Sequence, residues 1–169
     1  QQVIATFQNQ QTGNSQVFLT PAQMLGAQYN FGATIRLTSG SAVSASARTM
    51  LSDGEFEYWL RGSEATSIIL KDHSTARRYD IGFDAHKSFR PIFLATFFPG
   101  HVPGFEKVRV RYIGEVANSQ VLQDMQYSLS LTLGNSNPTT VYTKNNVYHH
   151  LATRWTKEFW IGGEPSEIA

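Results

Sequence analysis

Apolar and polar positions alternate along most of this chain with a period of two. Tyr127, Leu129, Leu131 and Leu133 are separated by Ser128, Ser130 and Thr132, the pattern of a strand with one face buried and one in water. Val108, Val110 and Tyr112 alternate with Lys107, Arg109 and Arg111. Phe56, Tyr58 and Leu60 alternate with Glu55, Glu57, Trp59 and Arg61, and Ile35 and Leu37 with Arg36 and Thr38. Val43, Ala45 and Ala47 alternate with Ser44, Ser46 and Arg48. Each run suits an antiparallel sheet packed on one side. Further strands are predicted at Val3–Phe7, Gln16–Leu19, Arg78–Phe83, Thr140–Tyr142 and Arg154–Ile161.

Two segments are apolar on both faces: Ser67–Leu70 and Ile92–Phe98. In the second, Phe89, Pro91, Phe93, Ala95 and Phe97 share one face of an extended strand, and Ile92, Leu94 and Phe98 share the other. Leaving an Ile, Leu or Phe in water forgoes roughly 1.5–3 kcal/mol of burial. Both faces should therefore be covered, with Phe93 and Phe97 in the core. Were Ile92, Leu94 and Phe98 solvent-exposed in an isolated monomer, they would form an apolar patch that marks an assembly interface.

Turn chemistry separates the runs: Thr12-Gly13-Asn14, Ser39-Gly40-Ser41, Pro99-Gly100, Pro103-Gly104 and Gly134 to Pro138. Asp53-Gly54, between two alternating runs, is the strongest hairpin signal. Helix is scarce. Thr20-Pro21-Ala22-Gln23 carries a capping hydroxyl, proline at the first helical position and Gln where a capping box needs it. A second turn of helix is predicted over Ser119–Met125. The pattern as a whole predicts an all-β fold: an antiparallel β-sandwich or jelly roll of about ten or more strands with one or two short helical turns. One such domain is expected over residues 1–161, with 162–169 a linker-like C-terminal tail.

Composition narrows the function. Charged residues make up only 16 % of the 169 positions and the net charge is +1. That argues against nucleic acid, whose phosphates call for a concentrated basic excess. No stretch of eighteen apolar residues exists to insert into a membrane. Cysteine is absent, which removes disulfides, thiolate nucleophiles and thiolate zinc sites. An amide- and hydroxyl-rich surface, no cysteine and no Asn-x-Ser/Thr acceptor lean towards a microbial protein, secreted or at the cell surface. The chain opens on Gln1 without methionine and closes on a linker-like tail, so the natural protein is expected to continue or to be processed there.

Candidate chemistry concentrates on aromatics. Trp59 lies on the polar face of its strand between Glu57 and Arg61. A flat indole flanked by hydrogen-bonding groups is what a sugar-stacking platform requires. Near the C-terminus Trp155, Phe159 and Ile161 share a face with Lys157, while Trp160 falls with Arg154 and Glu158. The candidate ligand-binding set is therefore Trp59, Glu57, Arg61, Trp160 and Arg154. Lys107, Arg109 and Arg111 form a basic stripe that would meet acidic polysaccharide or a partner's carboxylates. The blander account is an edge strand protected by charge, or a face paired to acidic neighbours.

No cofactor is expected. Asp72, His73, Asp80, Asp84 and His86 form an oxygen-rich cluster where a structural Ca²⁺ has some chemical footing. Their spacing matches no calcium loop, and Asp80 and Asp84 read better as turn formers or partners of Arg77 and Arg78. His149-His150 has no third ligand and is assigned no metal. Catalytic motifs are missing, and although Glu55, Glu57, Glu115 and Glu158 leave room for a jelly-roll glycosidase, a non-catalytic protein is expected. Two functions remain: an extracellular module binding a polysaccharide or glycan, or a structural subunit joining copies of itself or adjacent domains. In the second, Gln1–Phe7 would complete a neighbour's sheet by strand addition.

Overall fold

The computed structural model describes residues 17–116 and 122–164. Over them the chain forms two short helices and nine strands: α1 (Pro21–Met24), β1 (Ala33–Ser39), β2 (Ser41–Ser46), α2 (Ala47–Ser52), β3 (Glu57–Arg61), β4 (Thr66–Leu70), β5 (Phe89–Phe98), β6 (Lys107–Val116), β7 (Met125–Leu133), β8 (Thr139–His149) and β9 (Arg154–Ile161). The strands make two antiparallel sheets, one ordered β2-β1-β7-β8 and the other β3-β4-β5-β6-β9. β3 to β6 follow one another as a meander. β6 and β9 are neighbours although the β7–β8 pair, which belongs to the other sheet, lies between them in sequence.

The alternating runs place their apolar halves where the two sheets share one core. Ile35, Leu37 and Leu131 from the four-stranded sheet are fully buried. They join the buried Ile68, Phe93, Phe97, Val108, Val110 and Tyr112 of the five-stranded sheet. Phe97 meets Phe31 edge-on at 5.0 Å and Tyr29 at 5.4 Å, an arrangement that adds to simple area burial. Tyr112 donates from its hydroxyl to the Thr132 carbonyl at 2.6 Å, bonding one sheet to the other. Burial pushes its phenol well above the usual range.

Helix α1 forms as the sequence predicts. The Thr20 side chain accepts from the Gln23 amide, Gln23 bonds back to the Thr20 amide at 2.9 Å, and Pro21 opens the helix. Helix α2 does not follow the period of two. The strand expected through Ala47 and Arg48 stops at Ser46, whose hydroxyl accepts from the Thr49 amide at 3.2 Å and caps a helix. Ala47, Met50 and Leu51 then turn into the core, and Arg48 donates to the carbonyls of Phe31 and Leu25 at 2.8 and 3.0 Å. Asp53-Gly54 is consequently a helix end and not a hairpin. Gly54 has φ +81°, Gly54 N donates to Leu51 O, and Glu55 N donates to Met50 O at 2.8 Å, a left-handed termination that favours glycine.

Three other expectations are corrected. Residues 17–19 of the expected Gln16–Leu19 strand form no strand. Arg78–Phe83 reduces to one bridge, Ile81 opposite Phe89. In Ser119–Met125, residues 122–124 are not helical and Met125 opens β7; the rest of that segment, like Val3–Phe7, lies outside the described residues. The stretch Thr140–Tyr142 is part of the longer β8.

The sheets are joined at one end by a chain of polar groups inside the core. Trp155 Nε1–H donates to the Tyr127 hydroxyl at 2.8 Å, and that oxygen lies 2.7 Å from His149 Nδ1. His149 Nε2 lies 2.9 Å from the Thr153 carbonyl. A carbonyl only accepts, so Nε2 carries the proton and Nδ1 accepts from the tyrosine. The imidazole is neutral and every group in the chain is satisfied. Phe89 packs edge-on against Tyr127 and His149. Gly114, opposite Trp155 in the β6–β9 pairing, leaves room for the indole: a Cβ there would overlap Trp155 and come within 2.6 Å of Phe89.

Two outcomes are expected. Phe97→Ala should cost about 3–5 kcal/mol in urea unfolding, and a loss below about 1 kcal/mol would contradict its place between Phe31 and Tyr29. Burial, aided by neighbouring His150, holds His149 below its ordinary pKa of 6.5, outweighing the Thr153 carbonyl and Asp124. The folded protein then binds fewer protons than the unfolded chain in this range. The contribution of His149 should be constant above pH 6.5 and decline as pH falls below it. Unfolding curves across that window should show His149→Gln losing stability less steeply than the parent; parallel slopes would exclude His149 as the cause.

Candidate functional site

Because the inner faces of β3 to β6 and β9 meet the core, their alternate side chains form an outer face. The register sorts these into rows crossing the sheet. One row runs Leu60, Ser67, Thr96, Arg109, Trp160, and the next runs Glu57, Ile69, Leu94, Arg111, Glu158. A cavity of about 450 Å³ lies over these rows. Its floor is Ser67, Ile69, Leu94 and Thr96, Trp59 and Leu60 form the β3 side, and Arg109, Arg111 and Glu158 form the side towards β9.

Trp59 owes its position to a β-bulge. Tyr58 pairs with Ile68 and Leu60 with Ser67, so Trp59 is the extra residue. It stands 75 % exposed at the sheet edge. The bulge also reverses the side chains that follow it, as an inserted residue must in a structure with period two. Leu60 joins the outer face. Arg61 falls opposite Thr66, with its guanidinium 4.9 Å over the Tyr58 ring and 5.4 Å over Phe18. The structure thus parts Arg61 from Trp59, which the sequence placed together. Glu57 stays on the outer face, near His73 at 3.9 Å.

Trp160 and Arg154 lie on the same face but on the opposite edge strand. β3 and β9 are four inter-strand steps apart, about 19 Å at the usual spacing. Trp160 stacks on Phe98 with ring centres 5.7 Å apart, so one face of its indole is occupied. Arg109 reaches to 5.8 Å over it. Arg154 pairs with Glu115 at 3.4 Å, away from the cavity. The five candidate residues therefore do not make one cluster. Trp59 and Trp160 stand at the two edges of one face, and the residues between them come from strands whose order alternation cannot reveal.

The basic stripe runs along the middle of this face, since β6 lies between β5 and β9; it does not protect an edge. Arg109 and Arg111 approach Glu158 Oε1 at 3.7 and 3.4 Å. Lys107 donates to the carbonyls of Gly162 and Gly163, tying the start of the tail to β6. Burial pulls the Arg109 pKa below its usual value; Glu158 opposes this and Arg111 adds to it. On the floor, the buried hydroxyls of Ser67 and Thr96 bond to each other at 2.8 Å. The outer side chains of β5 divide: Ile92 is 8 % exposed, whereas Leu94 and Phe98 are only half-buried.

The oxygen-rich loop is occupied by its own donors. Asp72 accepts from the amides of Ser74, Tyr79 and Asp80 and from the Ser74 hydroxyl. Burial alone would raise its pKa, but these bonds outweigh it and hold the carboxyl below its ordinary value. Asp80, fully buried, binds Arg77 at 2.9 Å and Arg90 at 3.2 Å. Asp84 accepts from the His86 amide and the Ser88 hydroxyl. Among the described residues no three His, Asp or Glu side chains are grouped to hold a metal ion. No described helix is long and apolar enough to cross a membrane.

No protein-family model matches the chain, and it matches no curated protein and no solved structure.

The exposure of Trp59 sets one expectation. Trp59→Ala should change unfolding stability by no more than about 0.5 kcal/mol, as surface substitutions do. A loss of about 3 kcal/mol or more, the size typical of core tryptophan truncation, would put the indole in the core.

Proposed function

We propose that the chain is a β-sandwich module of the cell exterior, non-catalytic, that binds carbohydrate on the outer face of its five-stranded sheet. The observation that carries this is Trp59: an indole held 75 % exposed by a bulge at the rim of a cavity of about 450 Å³. A pyranose presents a C–H face to such a ring and hydroxyls to the polar groups beside it. The cavity has the size of a small-ligand site, with Ile69 and Leu94 beside the paired hydroxyls of Ser67 and Thr96 on its floor and charged groups at one side. Acid–base hydrolysis of a glycoside uses two flanking carboxylates. Among the described residues the cavity lining carries one, Glu158, already shared by two arginines, which favours binding over cleavage.

A second function has its own observation. Among the described strands β2 is an edge strand in unbroken register with β1, and Ser41, Ala42 and Ser44 are exposed without charge, proline or bulge. Such an edge accepts a further strand, which supports a subunit that assembles with copies of itself.

Titration against a panel of neutral and acidic polysaccharides, together with size-exclusion chromatography and negative-stain microscopy, separates the two. The glycan module should remain monomeric at all concentrations and bind a panel member, and Trp59→Ala should weaken that binding about tenfold, the loss of a stacking contact worth about 1.4 kcal/mol. Filaments or shells without glycan binding would replace it with the assembling subunit.

A further inference from the structure

Cations on the outer face of the five-stranded sheet are not neutralised equally. Arg90 bonds through two nitrogens to the buried carboxylate of Asp80, both at 3.2 Å. Arg154 has Glu115. Lys107 has two backbone carbonyls. Arg109 and Arg111 share a single carboxylate and reach the same oxygen of it, at 3.7 and 3.4 Å. Those separations exceed the 2.7–2.9 Å of a well-made charge-assisted bond. Among the described residues two positive charges therefore border the cavity against one negative charge, and neither guanidinium spends its planar fork on a bidentate partner.

Position strengthens the imbalance. The Arg109 side chain is only 14 % exposed, over a floor that includes Ile69 and Leu94. A charge with little water around it and an apolar surface beneath it attracts an anion more strongly than the same charge in solvent. The Thr96 hydroxyl, 3.4 Å from Arg109 Nη2, helps to hold that guanidinium in place. Trp59 closes the opposite side of the cavity, three strands away, a distance of about 14 Å. A ring stacked on Trp59 and an anionic group at the arginines must then belong to different, non-adjacent units of one ligand lying across the strands.

We propose that this site selects acidic saccharides, chains whose ring carboxylate docks between Arg109 and Arg111 while another ring further along the same chain stacks on Trp59. The proposal rests on the glycan-binding function above and adds its substrate class. A planar carboxylate matches the guanidinium fork, which a sugar hydroxyl does not.

The test is calorimetric titration with polygalacturonate, its fully methyl-esterified form and a neutral glucan, at low and high salt. The protein should bind the acid polymer at least tenfold more tightly than the ester, with affinity falling as salt rises. Arg111→Gln should remove most of that preference, and Lys144→Gln, an exposed cation on β8 of the other sheet, should not. The acid–ester comparison uses the unmodified protein, so it stands even if Arg111→Gln fails to fold. Equal binding of acid and ester, lost in Trp59→Ala, would overturn the acidic preference and keep the glycan function. An equal loss in Lys144→Gln and Arg111→Gln would also overturn it, as attraction without a site. No binding to any of the three polymers would overturn both.

Discussion

The pairing of β5 with β6 at the centre of the five-stranded sheet is the constraint on which the other features depend. Phe89, Phe93 and Phe97 on one strand, and Val108, Val110 and Tyr112 on the other, are all fully buried on the inner face. A strand has only two faces, so committing these side chains to the core commits their neighbours to the outside. Leu94, Thr96, Arg109 and Arg111 are displayed together because the residues between them are packed against the other sheet. Core burial, the dominant stabilising term, thereby orients the cavity lining.

That coupling also explains why the outer face is mixed in character. Its centre is partly apolar, with Ile92 covered and Leu94 and Phe98 half-buried. Two arginines and a glutamate cross it on β6 and β9. The opposite end of the molecule solves a different problem. There the Trp155–Tyr127–His149 chain gives each of its own polar groups a partner, and Gly114 leaves the indole space. A buried network of this kind stabilises one arrangement of the sheets only while each member keeps its partner.

Local conflicts with the period of two were resolved by burial and capping. Ala47 suits a strand or a helix, and Ser46 suits a strand or a cap. The helix prevails where Met50 and Leu51 reach the core and Arg48 finds two carbonyls. Asp-Gly marks a reversal of the chain, and it does reverse here, but after a helix. The dipeptide reports a left-handed glycine and is indifferent to the element that precedes it.

The sequence by itself determined that the chain is mostly antiparallel β-structure, which side chains of β6 and β7 face inward, the capping box of α1 and the core positions of Phe93 and Phe97. These are local consequences of a side-chain period and a few short-range hydrogen bonds. Only the tertiary structure decided the strand order that sets Glu158 beside Arg109 and Arg111, and the bulge that lifts Trp59 into solvent while carrying Arg61 to the other side. No glycine or proline between Glu57 and Arg61 announces that bulge. It arises where β3 meets β4, and a register belongs to a pair of strands, so neither strand encodes it alone.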